Sequence, residues 1–252
     1  MSITEQRQQL ILDELQRDGR VSVNELAARL RISTETIRRD LKDLEMRGHA
    51  RRVYGGAVMD RKQGDRPHDE RVRVRAREKS RIAVAAAPLI KDGMKIFIDS
   101  GSTTLAFARR LLTRRITIHT NSIDIAALMS TNPEVDVTVL GGVLKPDYKA
   151  LFGALTLAAI KEHFYDAVVM GIATVHAEHG FMDLGQDEAL LRRAAIAQSR
   201  RSIMLADSNK FGRLGTVCTF GLGDVNVLVT NGALNGEFAA QFKKSKVKVI
   251  NA

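Results

Sequence analysis

Apolar residues in the first fifty positions recur at helical spacings, whereas from Glu78 onward short apolar runs alternate with helical patterns. The opening segment predicts three short helices. The first spans about Thr4 to Arg17 with Leu10, Ile11 and Leu15 on one face, and Ser2 with Glu5 makes a capping box at its start. The second opens at Ser22, again a capping box with Glu25, and turns Leu26, Ala27 and Leu30 inward. After a three-residue turn Ser33 caps a third helix, whose Ile37, Leu41 and Leu44 form a narrow apolar stripe at spacings of four and three. Gly48 ends it, and "HARRVYGGAV" reads as a small basic β-hairpin closed by Gly55 and Gly56.

That stripe fixes what the third helix shows to solvent: Glu35, Arg38, Arg39 and Lys42, with Ser33, Thr34 and Thr36 in its first turn. Two helices joined by a tight turn and followed by a basic hairpin predict a winged helix-turn-helix whose third helix enters the DNA major groove N-terminus first. Arginine contacts guanine bidentately, and Ser or Thr reaches phosphates or base edges. Arg51, Arg52 and Tyr54 on the hairpin then meet the backbone or the minor groove. The competing reading is an ordinary helical hairpin with a solvated charged face; the caps, the spacing and the basic hairpin favour DNA.

Residues 1–59 are expected to form this domain, 60–80 a charged linker containing Pro67, and 81–252 a second domain. The linker's surplus charge either lies along the DNA backbone or keeps a hinge solvated. Beyond it come helix "EKSRIAVAAAPLI", strand "MKIFID", helix "TLAFARRLL", strand "ITIHT", helix "SIDIAALMS" and strand "VDVTVL". Helix "LTLAAIKEHF", strand "AVVMGI", helix "DEALLRRAAIAQS", strands "SIMLAD" and "VNVLVT", helix "NGEFAAQFKKS" and strand "VKVI" complete the chain. The alternation predicts an α/β fold with a mostly parallel sheet covered by helices on both faces, where ligands gather at the carboxyl ends of strands.

Composition changes this picture in two ways. The formal net charge of +10 invites a polyanionic partner, yet residues 1–60 hold eleven Lys or Arg against ten Asp or Glu, and residues 61–81 hold nine against four. Bulk charge therefore does not mark the DNA-binding domain. The single Cys218 excludes an internal disulfide and fits a reducing compartment; within the apolar "TVCTF" it is expected in the core. No apolar run approaches a membrane span and "MSITEQRQQL" lacks the build of a signal peptide, so the expected location is the cytoplasm.

The sharpest chemistry sits in "IDSGSTT", where a buried strand runs into Gly101 and the hydroxyls of Ser102, Thr103 and Thr104 as a helix begins. Free N–H groups, the helix dipole and hydroxyls converge there on a phosphate or carboxylate; the alternative is a plain capped turn. It is neither a Walker loop nor a dinucleotide fingerprint. "HTNS", "LGG" and "ADSNKFG" end other strands with the same polar, glycine-rich character, and Lys210 in the last offers a positive charge. His176, Glu178 and His179 have no further ligand at a recognisable spacing, so neither metal nor cofactor is expected.

Taken together, "VSVNELAARLRISTETIRRDLKDLEMRGHARRVYGGAV", "FIDSGSTT", "TNS", "LGG", "EHGF" and "ADSNKFGR" resemble, in order, the motifs of the DeoR family of bacterial repressors of sugar catabolism. The resemblance implies a C-terminal fold shared with ribose-5-phosphate isomerase and CoA transferases, sensing a phosphorylated sugar. It implies an effector pocket of Asp99, Ser100, Gly101, Ser102, Thr103, Thr104, Asn121, Ser122, Gly141, Gly142, Glu188, Asp207 and Lys210. Two positions depart from the family pattern: Thr174, where a second glycine is usual, and Gly185, where an aspartate is frequent. The expectation is a non-enzymatic repressor of a carbohydrate operon that binds double-stranded operator DNA as a homodimer or homotetramer, with no membrane partner. The rivals are a sugar-phosphate isomerase or transferase with a vestigial DNA-binding arm, and a metabolite-binding module without DNA affinity.

Overall fold

The computed structural model describes residues 3–46, 50–59, 67–234 and 236–252. They fall into two compact units, Met1–Asp65 and Arg66–Ala252. The capping box at Ser2, the stop at Gly48 and the first part of the expected linker lie outside the described residues, as does the Arg51 side chain.

In the first unit, α1 (Ile3–Asp18), β1 (Arg20–Ser22), α2 (Val23–Leu30) and α3 (Thr34–Met46) precede the hairpin β2 (Ala50–Val53) and β3 (Gly56–Met59). Ile11, Leu15, Leu26, Ile37, Leu41 and Leu44 are buried together, whereas Leu10, read onto the same face as Ile11, is exposed because it lies one position round the helix from the buried Ile11–Leu15 line. The hairpin gains a third strand: β1 pairs antiparallel with β3 in the order β1-β3-β2. Between α2 and α3, Arg31 takes φ +54, a left-handed turn that glycine usually supplies. Ser22 stands at the N-cap of α2 but makes no side-chain cap bond, which corrects the second capping box. At α3, by contrast, the Thr36 N–H donates to Ser33 Oγ at 3.1 Å.

The second unit begins with α4 (His68–Arg73) and α5 (Ala76–Ala86), so residues 68–80 are helix and turn rather than linker. They fold because His68 and Lys79 are buried, which a solvated hinge does not permit. Then follow β4 (Lys95–Ile98), α6 (Ser102–Ala108), β5 (Thr117–Thr120), α7 (Ile123–Met129), β6 (Asp136–Val139), β7 (Val143–Lys145), β8 (Ala150–Phe152) and α8 (Ala154–Lys161). The chain continues through β9 (Ala167–Gly171), β10 (Thr174–His176), β11 (Gly180–Asp183), α9 (Gln186–Ala197), β12 (Ser202–Leu205), β13 (Val217–Phe220), β14 (Val227–Thr230), α10 (Gly236–Lys244) and β15 (Lys248–Asn251).

Seven strands form one sheet in the order β15-β14-β12-β9-β4-β5-β6, every neighbouring pair parallel. Its strands alternate between two cores. Ile96, Ile98, Val169 and Ile203 meet α5, α6 and α7 on one face. Phe97, Val168, Met170 and Met204 meet α8, α9 and α10 on the other. Two small antiparallel additions, β7-β8 and β10-β11-β13, decorate the sheet. Cys218 on β13 is exposed, not core, because its neighbour Thr219 takes the inward position of that strand.

The strand order reverses between β4 and β9. From β4 the chain moves outward through β5 to β6, returns to β9 on the opposite side, and proceeds to β12, β14 and β15. Crossovers leave in opposite directions from these two strands, which opens a crevice at their carboxyl ends. Asp99, the residue after β4, stands at that crevice, and its N–H donates to Val169 O at 3.0 Å.

Candidate nucleic-acid interface and effector site

In the first unit Ile37, Leu41 and Leu44 anchor α3, leaving Ser33, Glu35, Arg38, Arg39 and Lys42 exposed and Thr34 and Thr36 half-buried. Arg38 Nη1 lies 3.3 Å from Glu35 Oε2, an exposed pair that costs little to break when DNA arrives. Tyr54 is fully exposed at the hairpin turn, and Arg52 Nε lies 3.3 Å from Glu45 of α3, tying the wing to the helix. The sequence reading missed Asp40. It is buried on the inner side of α3, 2.5 Å from Arg7 Nε and 3.2 Å from the Gln8 amide, so a charged clamp as well as an apolar stripe sets the helix orientation.

At the crevice of the second unit, the predicted effector residues stand at the carboxyl ends of β4, β5, β6 and β12 and at the start of α9. Ser100 donates its N–H to Asn121 Oδ1 at 2.9 Å, and Asn121 Nδ2 donates to Leu151 O at 3.2 Å, joining the loops after β4 and β5. Thr104 Oγ1 donates to Gly101 O, which tightens the turn into α6; the helix has seven residues, so its dipole is modest. Ser102 is half-buried and Thr103 buried in its first turn, where N–H groups have no intrahelical acceptor.

Some predicted residues are committed to the fold. Ser122 Oγ accepts from the Ile125 N–H and caps α7. Gly142 has φ +144, and a Cβ there would lie 2.5 Å from Phe152 O, so this glycine packs the β7-β8 hairpin. Thr156 Oγ1 donates to Gly141 O at 2.5 Å, fastening α8 to the same loop. Asp207 Oδ1 accepts from the Asn209 N–H at 3.0 Å, and Lys210 is half-buried in the following 3-10 turn.

Asp99 is wholly buried and meets Arg192 of α9, Nε to Oδ2 at 2.7 Å. Arg192 also donates to Asp183 Oδ1, and Thr219 Oγ1 donates to Asp183 Oδ2 at 2.7 Å. Burial pushes the Asp99 carboxyl up against the pull of Arg192, while the two carboxylates keep Arg192 protonated. Neither Arg192 nor Asp183 was legible as a site residue; in "LLRRAAIA" the arginines look like surface charge.

Glu188, one turn before Arg192, is buried with Oε2 in no hydrogen bond. A Cβ at Gly185 would collide with that carboxylate, so any side chain there would displace the group that glycine admits. Thr174 Oγ1 is likewise buried without a partner. His176, Glu178 and His179 approach one another within 4.8 Å on the β10-β11 turn, where His176 Nδ1 accepts from the Glu178 and His179 N–H groups.

The DeoR-like helix-turn-helix domain model matches residues 7–63, and the DeoR C terminal sensor domain model matches residues 74–232. The chain belongs to the DeoR family. This DeoR-family chain is 35% identical to the uncharacterized HTH-type transcriptional regulator FruR of Bacillus subtilis, over 98% of this chain and 99% of that protein. It is 32% identical to the glycerol-3-phosphate regulon repressor of Haemophilus influenzae, over 97% and 95% of the two chains. Ribose 5-phosphate isomerase A of Methanocaldococcus jannaschii overlaps 53% of either chain at 19% identity, with a TM-score of 0.39. The chain is thus a DNA-binding transcriptional regulator with a sensor domain. Among the described residues no helix is long and apolar enough to cross a membrane.

Proposed function

We propose that this DeoR-family regulator represses a carbohydrate operon from the cytoplasm and that a phosphorylated sugar, bound at the crevice between β4 and β9, controls its hold on operator DNA. The observation that carries the effector reading is the buried Glu188 Oε2, which lacks a hydrogen-bond partner at the crevice where the 99–104 loop and Asn121 also meet. An unpartnered buried carboxylate oxygen is costly, and a ligand hydroxyl satisfies it. Hydroxyls and first-turn N–H groups of the 102–104 segment, with Lys210, suit the phosphate end. The relative named for glycerol 3-phosphate supports a phosphorylated class. On the DNA side, Ser33, Thr34, Glu35, Thr36, Arg38, Arg39 and Lys42 are the major-groove readers, and Arg51, Arg52 and Tyr54 the wing contacts.

One recognition helix reads too few base pairs for a genomic site, so the regulator acts as a symmetric dimer or tetramer. Exposed Val139, Val143 and Leu144 follow one another from edge strand β6 into β7, and exposed Leu155 adjoins the Thr156 that is bonded to Gly141; this apolar surface supports a subunit contact. The isomerase reading is disfavoured because Asp99, a candidate base, is engaged by Arg192. The test is a thermal-shift panel of sugar phosphates and their free sugars on the full chain, with turnover measured in parallel. A phosphate-selective rise in Tm without turnover is expected; equal response to the free sugar, or turnover, overturns the reading.

A further inference from the structure

The corner between α4 and α5 carries an arginine with one buried, unbonded donor. Arg75, the residue that joins the two helices, takes φ +54 and ψ +39, a left-handed conformation that an arginine holds only when its surroundings impose it. Its side chain spans to the end of β12: Nε lies 3.5 Å from Asp207 Oδ1, Nη2 donates to Ser208 Oγ at 3.2 Å, and Nη2 also lies 3.5 Å from Glu78 Oε1 on α5. The first distance is too long for a charge-assisted hydrogen bond, and Arg75 Nε is buried with none. Lys79 fastens the same corner from within. Its ammonium donates to Val74 O at 2.7 Å and to Arg71 O, tying the last carbonyls of α4 to α5. Burial holds that ammonium down to about 8, with Asp207 pulling against and Lys210, Arg71 and Arg75 adding to the depression.

Asp207 therefore sits among Arg75, Lys79 and Lys210, with Glu78 as the second carboxylate on Arg75. The Ser208 that accepts from Arg75 also lines a cavity of about 230 Å³, with Phe211, Thr230 and Phe238, and Thr230 Oγ1 is fully buried with no partner. A guanidinium held at 3.5 Å by two carboxylates with its Nε unbonded, and an unmatched hydroxyl nearby, describe a site for a further anion. The planar fork of arginine fits phosphate oxygens bidentately, and a dianion outcompetes a single carboxylate for it.

We propose that Arg75 is an exchangeable arm: paired with Asp207 and Ser208 in the structure described, it transfers to the dianionic phosphate of the effector. Asp207 is then the internal competitor of the ligand, not one of its ligands. The corner lies a few residues downstream of the division at Asp65, and Lys79 makes α4 and α5 move together, so the transfer acts on the segment by which the chain enters the sensor unit. This rests on the reading that the unit senses a phosphorylated sugar.

The test is calorimetric titration of the full chain with inorganic phosphate at matched ionic strength. Wild type is expected to bind saturably. Arg75→Asn, which keeps a residue tolerant of the left-handed turn, is expected to weaken binding at least tenfold, with Arg75→Lys in between. Asp207→Asn retains the cap on the Asn209 N–H and removes the competitor, so binding tightens severalfold; a merely structural aspartate would not produce that gain. Hydrogen exchange over residues 68–79 should change with phosphate in wild type and not in Arg75→Asn. Wild-type affinity in Arg75→Asn, weakened binding in Asp207→Asn, or no saturable binding by wild type overturns the proposal. If phosphate binding survives in Arg75→Asn but is lost in Thr103→Ala, only the role of Arg75 falls; if wild type answers neither phosphate nor any sugar phosphate, the effector reading falls with it.

Discussion

Arg192 Nε lies 2.7 Å from Asp99 Oδ2 although the two residues are 93 positions apart, and the same guanidinium holds Asp183 on β11. This one side chain joins the end of the central strand β4 to the small β10-β11-β13 sheet across the crevice. Arg192→Met leaves two buried carboxylates without their cation and is expected to cost about 3–5 kcal/mol, read as a lower urea midpoint for the sensor unit. Asp99→Asn should cost less, because Asp183 still pairs the arginine. Equal midpoints for wild type and Arg192→Met would remove the network as a structural element.

On the DNA side, Arg38→Ala or Arg39→Ala is expected to cost about 1–3 kcal/mol in operator binding and to relax sequence preference. Arg51→Ala should weaken all sequences alike and lower the slope of log affinity against log salt by about one. Fluorescence anisotropy at several salt concentrations separates the two outcomes. Unchanged binding in all three variants would contradict the assignment of this face.

For the effector, Thr103→Ala is expected to lose about 1–3 kcal/mol of affinity for the phosphorylated sugar through one missing charge-assisted hydrogen bond. Glu188→Gln keeps size while removing charge, so it should weaken binding of both the sugar phosphate and any weakly bound free sugar. Calorimetry on the thermal-shift hit checks both. Operator affinity measured without ligand should stay at the wild-type level in each.

The exposed apolar run from β6 into β7 gives an assembly prediction. Leu144→Lys combined with Leu155→Lys is expected to lower the mass seen by light scattering to that of a monomer and to weaken operator binding, since half-sites then bind singly. A variant of unchanged mass would place the subunit contact elsewhere.

His119, buried on β5 with Nδ1 3.2 Å from the Tyr165 hydroxyl, gives the pH dependence. Burial first, then the charges of His163 and Lys95, push its imidazole down to about 4 from the ordinary 6.5. The unfolded chain therefore takes up the proton before the folded one as pH falls. The stability contributed by the neutral ring is complete above about pH 6.5 and is lost progressively toward pH 4. Burial also lowers His68, which acts in the same direction. Urea midpoints between about pH 5 and 7 should fall with acid, and His119→Gln should flatten that slope by up to one proton. A slope unaffected by the substitution would assign the acid sensitivity to other groups.

Much of this architecture was readable because local periodicity and tertiary burial agree. Ile37, Leu41 and Leu44 declared the inner side of α3 and hence its outer one, and each strand of the parallel sheet was read as a short apolar run. The candidate site was read from glycine-rich strand ends, where backbone chemistry leaves a sequence mark. Charged residues whose partners lie far along the chain leave none. Arg192 looks like surface charge, Arg75 and Lys79 fall in the expected linker, Asp183 carries no mark at all, and only the fold brings Asp99 or Asp207 to them. The antiparallel strands of the β10-β11-β13 sheet interrupt the alternation of strand and helix by which the others were read, and Cys218 was misplaced with them.

That misplaced thiol has a practical side. As the sole cysteine, exposed on β13 beside the Thr219 that holds Asp183, it accepts a maleimide dye at one defined position without any prior mutagenesis. A fluorophore there sits on the strand that the Arg192 network ties to the crevice, so emission from the native sequence becomes a direct optical record of the sensor unit as candidate metabolites are added.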